Sequence, residues 1–129
     1  MKQVLRQIGW FVGVGCAAAA THWAVAVAGI GRLQLAPAVA NLLGWLVALL
    51  VSFSGHYLLT FRHHAKSLWP ALGRFVLLSA GGFAVNELAF VVLLNATSLP
   101  YQHLLAAILV AVAGLTFVLS RSWAFRRSP

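Results

Sequence analysis

Glu87 is the only acidic residue among the 129 of the chain, and it lies inside an apolar run over residues 75–120. A charged side chain at the centre of a membrane helix costs roughly 2.5–3.5 kcal/mol on insertion scales and is a functional candidate by default. Asn86 precedes it, and His22 lies at a similar depth in another apolar run. The three side chains predict a polar cavity inside a membrane. The alternative is that Glu87 makes only a structural hydrogen bond, to Asn86, His22 or Thr21.

A second group of residues has the chemistry to bind a phosphate. Arg121 lies five residues before Arg126, or about 7.5 Å deeper along a helix, and a guanidinium group can bind a phosphate through two parallel hydrogen bonds. Arg74 stands where a helix is expected to begin, and the free amides of a helix N-terminus also attract anions. With His56 and Tyr57, these arginines predict a phosphodiester site. The alternative is ordinary anchoring of helix ends by basic residues.

Aromatic side chains lie close to these candidates. Residues four apart share one face of a helix, which aligns Phe53 with Tyr57 in one apolar run and Phe117 with Arg121 in another. Such a face either contacts lipid and neighbouring helices or forms a groove for an isoprenoid chain. The groove hypothesis selects Phe53, Phe117 and Trp123.

The composition excludes most other classes of protein. Only 8% of the residues are charged and 62% are hydrophobic, whereas soluble domains carry roughly 25% charged residues. A single carboxylate excludes catalysis by paired acids and metal sites built on Asp and Glu, and the single Cys16 excludes an internal disulfide. We therefore expect no catalytic residue, no metal and no cofactor. The basic residues lie at the ends of apolar runs, which indicates anionic lipid headgroups rather than nucleic acid as their partner.

Four membrane-spanning helices must position these residues. The runs 7–31 and 33–61 contain no charged side chain, and each fits one span of about 20 residues. The run 75–120 is too long for one helix and contains turn residues at Asn95, Ser98 and Pro100. We predict an all-α integral membrane protein of one domain over 1–129, with helices at about 8–30, 37–60, 73–95 and 101–124.

The basic residues also predict the orientation of the chain. Arg32 lies in the first predicted turn between helices, whereas the other Lys and Arg residues lie near the two termini and the central loop. Because Lys and Arg are enriched on the cytoplasmic side, both termini are predicted to be cytoplasmic. The basic residues assigned to that side are Lys2, Arg6, Arg62, Lys66, Arg74, Arg121, Arg126 and Arg127.

The sequence also contains signs of an internal repeat. The pairs Gly9/Gly73 and Phe53/Phe117 share an offset of 64 residues, which predicts two parallel two-helix repeats over about 8–62 and 72–126. Substrate sites of transporters tend to form where such repeats meet, and the same offset makes His22 equivalent to Asn86. Glycines at 9, 13, 81 and 82 would allow close approach of helices, either within the chain or in a homo-oligomer.

Two segments carry a family resemblance. The segment 52–61, its counterpart 116–125 and the opening Arg74-Phe75-Val76 of the third helix resemble the GtrA-like family of four-helix membrane proteins. The usual family pattern at the ends of helices two and four is Phe-x-x-Asn-Arg-x-Trp-x-Phe. Arg121, Trp123 and the framing phenylalanines match it, and the sequence departs from it at His56, Tyr57, Leu59 and Ser120.

The resemblance implies a function that the composition does not. It implies a bacterial inner-membrane protein that translocates a polyprenyl-phosphate-linked monosaccharide, such as one on undecaprenyl phosphate, for synthesis or modification of cell-envelope polysaccharide. It implies a membrane glycosyltransferase as a partner, and a transporter rather than an enzyme. Two alternatives stay open: a proton-coupled exporter similar to the small multidrug-resistance transporters, and a non-catalytic adaptor that docks a glycosyltransferase to the membrane.

Overall fold

The computed structural model of the protein describes the backbone of residues 1–60 and 68–124 and the side chains of 1–59, 69–70 and 73–115. Four α-helices make up this part of the chain: α1 (Lys2–Gly31), α2 (Pro37–Gly55), α3 (Leu68–Ala96) and α4 (Tyr101–Ala124). A π-helical turn, His56–Thr60, continues α2. The predicted all-α membrane fold with four helices is confirmed.

The helix ends follow from local chemistry. Proline is favoured at the first helical position, because it has no amide hydrogen to leave unpaired there, and Pro37 occupies that position in α2. Pro100 precedes α4, and its carbonyl oxygen accepts a hydrogen bond from the Leu104 amide at 3.0 Å. Between α1 and α2, the chain turns at Gln34, which has a positive φ of 53°.

Two predicted helix starts were placed inaccurately. The first helix begins at Lys2 rather than residue 8, since Lys, Gln and Arg are good helix formers and need not mark its start. The third helix begins at Leu68 rather than residue 73, because Pro70 is tolerated in a first helical turn. The predicted helix over 37–60 has the predicted bounds, and its last turn, His56–Thr60, is π-helical.

Most of this helical structure is apolar enough to lie in a membrane. Three stretches are long and apolar enough to cross it, Lys2–Gly31, Pro37–Leu59 and Gly73–Ala96, and α4 contains a shorter apolar stretch, Tyr101–Leu115. The chain is therefore a multi-pass membrane protein.

The helices α1 and α2 pack closely through small residues. A Cβ atom at Gly44 would lie 2.6 Å from the carbonyl oxygen of His22, and one at Gly55 would lie 2.6 Å from Cγ1 of Val14. Farther along the pair, a Cβ at Gly29 would lie 3.1 Å from Cβ of Ala40. Small residues of this kind let membrane helices approach backbone to backbone.

Larger apolar residues join α1, α3 and α4. Phe90 and Leu105 are fully buried, and they form a cluster with Ala26, Leu104 and Ile108. A hydrogen bond of 2.9 Å from Nε1 of Trp23 to the carbonyl oxygen of Gln102 also links α1 to α4. The fourth helix is thereby held against the first.

The predicted close approach at other glycines is not found within the described chain. No described atom would lie within 4 Å of a Cβ on Gly9, Gly13, Gly81 or Gly82. The spacing of these glycines does not reveal which face of a helix is covered. In the structure they lie on helix faces that are turned away from the other described helices. The homo-oligomer alternative for these glycines stays a prediction.

Candidate functional site

A chain of hydrogen bonds joins polar side chains of three helices. Nε2 of His22 on α1 lies 2.7 Å from Oδ1 of Asn41 on α2. Nδ2 of Asn41 donates to Oδ1 of Asn86 at 2.8 Å and to Oε2 of Glu87 at 2.7 Å, both on α3. Asn41 is therefore the centre of what we call the polar cluster, which comprises His22, Asn41, Asn86 and Glu87.

The packing of α1 against α2 places the first two members of the polar cluster. Asn41 shares the buried face of α2 with Ala40, Gly44 and Ala48. Gly44 has no side chain to keep α1 away, and its missing Cβ would lie 2.8 Å from Cδ2 of the His22 ring. The imidazole therefore fits over Gly44 and reaches Asn41, which is fully buried.

The hydrogen-bonding capacity of Asn41 determines the role of His22. Both hydrogen bonds to α3 use the Asn41 amide nitrogen, so its carbonyl oxygen is the group that faces His22. An oxygen can only accept, and the imidazole must therefore donate its proton from Nε2. In this arrangement the donors point from α1 through α2 toward α3.

The two members on α3 differ in burial. Asn86 is only 3% exposed, and its Nδ2 has no hydrogen-bond partner among the described residues. A buried unsatisfied donor typically costs about 1–3 kcal/mol. Glu87 is half-buried. Among the described side chains it makes no ion pair, and its hydrogen bond from Asn41 is to only one of its two carboxylate oxygens.

An aromatic pair flanks the polar cluster. Phe83 on α3 stacks on Trp45 of α2 with ring centroids 4.8 Å apart and lies 6.4 Å from the His22 ring. Nε1 of Trp45 donates to Oγ of Ser79 at 2.9 Å, which satisfies the indole. This pair forms an apolar wall next to the imidazole.

A second group of predicted residues comes together near the end of α2. His56 is buried, with its ring 4.9 Å from Phe11 and 6.0 Å from Phe75. Phe53 lies 5.7 Å from Tyr57 and 5.6 Å from Phe75. We call Phe11, Phe53, His56, Tyr57 and Phe75 the aromatic group. His56 is also the first residue of the π-helical turn, and such turns are frequent at functional sites.

The predicted phosphate site is described only in part. Arg74 is exposed on α3, next in sequence to Phe75 of the aromatic group. Phe117, Arg121 and Trp123 lie on α4, and their side chains are outside the described residues. The phosphate site, the tail groove and the polar cavity all stay predictions.

Asn41 is the member of the site that the sequence analysis missed. The structure brings His22, Asn86 and Glu87 together only through this residue. The available signal was that Asn41 is the single side-chain amide of α2, while the 64-residue offset places Leu105 at the equivalent position. No group of three metal-ligating side chains occurs within the described ranges.

Comparison with known proteins identifies the family. A family model described as the GtrA/DPMS transmembrane domain matches residues 10–125. The chain belongs to the GtrA/DPMS family. The matched residues of this GtrA/DPMS chain include the polar cluster and extend into all four helices. The predicted family resemblance is confirmed.

Membership of the GtrA/DPMS family supports a membrane protein of glycosyl-lipid-related processes. Comparison with curated proteins and with solved structures gave no significant match.

Proposed function

We propose that this GtrA/DPMS chain translocates a polyprenyl-phosphate-linked monosaccharide across the bacterial inner membrane, from the cytoplasmic to the outer leaflet. The observation that carries the proposal is the polar cluster, in which Asn41 joins side chains of three apolar helices, among them the half-buried carboxylate of Glu87. Polar groups of this kind inside a membrane mark pathways for polar substrates.

The polar cluster has the groups that a sugar needs on its way across. A sugar leaving water loses hydrogen bonds to its hydroxyl groups, and leaving them unmade is costly. The second carboxylate oxygen of Glu87 can accept from a hydroxyl, and the unpaired Nδ2 of Asn86 can donate to one after a small local shift. An acceptor and a donor on adjacent residues match a hydroxyl, which is both.

The charged end of the substrate requires a different site. Arg74 lies 13 residues before Glu87 on α3, or about 20 Å along the helix axis. With both termini on the cytoplasmic side, Arg74 is at the inner face, where it and Arg121 of α4 would bind the phosphate with help from His56 and Tyr57. The helix α3 then provides a cation at its start and polar groups deeper in the membrane.

The apolar tail has its own candidate surface. Phe75 of the aromatic group follows Arg74 in the sequence, and its ring centroid lies 5.6 Å from that of Phe53. Together with Phe117 and Trp123 of α4, these rings would bind the first isoprene units while the rest of the chain stays in lipid.

The proposal extends to organisation and partners. The chain acts as one domain over 1–129 composed of parallel repeats at about 8–62 and 72–126, and His22 and Asn86 then meet from equivalent positions on either side of Asn41. A membrane glycosyltransferase would supply the lipid-linked sugar, membrane lipids surround the protein, and the uncovered glycines of α1 and α3 leave a face for a second copy.

A reconstituted transport assay tests the function. The full chain is placed in proteoliposomes with polyprenyl-phosphate monosaccharides labelled in the sugar, and translocation is followed by protection from a membrane-impermeant reagent. We expect translocation that is lost in Glu87→Gln and in His22→Ala and kept in Asn95→Ala, since Asn95 only bonds the Val91 carbonyl oxygen of its own helix. Unchanged translocation in the first two variants would remove the polar cluster from the pathway.

A proton-coupled exporter is the second candidate, and one observation favours it. Glu87 is a half-buried carboxylate without an ion-pair partner among the described side chains. Export of cationic drugs driven by an imposed pH gradient, with no sugar translocation, would establish this alternative. Absence of both activities together with capture of a glycosyltransferase would instead establish an adaptor.

A further inference from the structure

The polar cluster leaves one hydrogen-bonding group unsatisfied, and the arrangement of its donors explains why. The Asn86 amide presents its oxygen to Asn41, which leaves its buried Nδ2 without a partner among the described residues. Rotating the amide by half a turn would exchange its oxygen and nitrogen. That rotation is blocked as long as Asn41 presents its own NH2 group to α3, because two donors would then face each other.

The charge on Glu87 holds Asn41 in that orientation. A carboxylate has no hydrogen and can only accept, so the group 2.7 Å from Oε2 must be the Asn41 Nδ2. The carbonyl oxygen of Asn41 consequently faces His22, which must donate from Nε2. One negative charge on α3 thus determines which way every hydrogen bond of the polar cluster points.

Protonation of Glu87 permits the opposite direction with the same heavy-atom positions. A protonated carboxyl group donates, and Asn41 then turns its carbonyl oxygen to α3 and its Nδ2 to His22. Asn86 can turn as well and donate its Nδ2 to the Asn41 oxygen across the same 2.8 Å. The atom without a hydrogen-bond partner is now the side-chain carbonyl oxygen of Asn86. A buried carbonyl without a partner is tolerated better than a buried N–H.

We propose that Glu87 is a proton-binding site whose occupancy reverses the hydrogen-bond chain and changes the tautomer of His22 on α1. The carboxylate takes one proton from water. His22 releases the proton on Nε2, which then accepts from Asn41, and holds one on Nδ1 instead, so the net uptake is one proton. The half-buried position of Glu87 allows this exchange without unfolding of the bundle.

The surroundings of Glu87 make His22 the responding group. On α2 the facing group is the neutral amide of Asn41, and on α3 it is the amide of Asn86. Among the described side chains of α4, which cover residues 101–115, the titratable ones are Tyr101 and His103 in its first turn. His22 on α1 is therefore the titratable side chain that the Asn41 amide connects to Glu87. Proton binding by Glu87 in the second predicted repeat thereby changes the tautomer of His22 in the first, whatever the transported substrate is.

Spectroscopy on the wild-type chain in nanodiscs tests the proposal without any substrate. Infrared difference spectra recorded over a pH titration report the C=O stretch of the protonated Glu87, which is assigned by its absence in Glu87→Gln. Nitrogen-15 NMR of labelled histidine reports the tautomer of His22, which is assigned with His22→Gln. We expect both signals to change with one common midpoint, and the exposed His103 at the start of α4 provides a reference histidine signal.

The Asn41→Leu variant provides the decisive comparison. Leucine is the residue at the equivalent position 105, and it cannot relay a hydrogen bond. With helicity checked by circular dichroism, the carboxyl signal should still titrate while His22 no longer follows it. A wild-type His22 that keeps its proton on Nε2 throughout the carboxyl titration would overturn the proposal, as would a wild-type carboxyl signal that does not depend on Glu87.

Discussion

Gly44 on α2 lies directly against the backbone of His22 on α1: a Cβ atom at Gly44 would come within 2.6 Å of the His22 carbonyl oxygen. The contact involves backbone rather than the end of a flexible side chain, so the two helices would have to separate to admit even a methyl group. The same contact holds the imidazole within reach of Asn41. Both the packing of α1 on α2 and the polar cluster therefore depend on the absence of a side chain at position 44.

Gly44→Ala should therefore destabilise the protein. Overpacking of a close contact typically costs about 1–3 kcal/mol, and the separation of α1 from α2 also lengthens the bond from His22 to Asn41. The measurement is the thermal unfolding midpoint in detergent. The matched control is Gly114→Ala on α4, whose new Cβ would meet no described atom within 4 Å. We expect the control to be neutral or slightly stabilising, because Ala is the better helix former. Equal effects of the two substitutions would contradict the packing argument.

Asn41→Ala should impair both stability and translocation. It removes three hydrogen bonds at once. Since side-chain hydrogen bonds between membrane helices contribute about 0.6 kcal/mol on average and up to about 1.7, the expected loss is about 2 kcal/mol or more. Chemical denaturation in mixed micelles measures it. Ser79→Ala, which loses only the bond from Trp45, should cost less, and the reverse order would show that Asn41 is not the centre of the site.

Arg74→Lys should weaken binding of the phosphate although the charge is kept. Lysine cannot reproduce the two-pronged geometry of a guanidinium group, and a hydrogen bond to a charged group contributes about 1.5–3 kcal/mol. We therefore expect roughly tenfold or greater loss of affinity. Equilibrium binding of a short-chain polyprenyl phosphate to the protein in nanodiscs measures the change. Arg121→Lys should weaken binding to a similar extent, and Arg6→Lys should leave it unchanged. If all three variants bind the lipid as tightly as the wild-type chain, these arginines serve only to anchor the helices in the membrane.

The predicted orientation can be tested with single cysteines in a Cys16→Ala background. The turn between α3 and α4 contains Ser98, and α1 begins at Lys2. With both termini cytoplasmic, a membrane-impermeant maleimide added to intact cells should label Ser98→Cys, and should label Lys2→Cys only after permeabilisation. The opposite pattern would invert the chain and place Arg74 at the outer face.

The four helices could be predicted because long apolar runs with at most one charged residue have few alternatives in a protein with so little polar surface. Helix starts were less predictable, since Lys2 and Trp69 are compatible with a helix and with its boundary alike. The sequence suggested His22 and Glu87 because histidine and carboxylate side chains stand out in apolar runs, and Asn86 because it is next to Glu87. It did not suggest Asn41, whose importance comes from the side chains of two other helices that reach it.

The glycines illustrate the same difference between sequence and structure. Gly9 and Gly13 have the spacing of a packing motif, yet the close contacts occur at Gly44 and Gly55. Which face of α1 meets α2 is determined by the whole buried face, including Val14 and Ala18. A spacing rule applied to one helix does not contain that information.

The hydrogen bond from Trp23 to the main-chain oxygen of Gln102 requires a particular side chain at only one of its two residues. Every amino acid at position 102 would supply the same carbonyl oxygen, whereas an indole at position 23 is needed to reach it. Natural variation and saturation mutagenesis should therefore be permissive at 102 and restrictive at 23. This hydrogen bond between the first and last helices can thus be removed by a side-chain substitution at only one of its two residues.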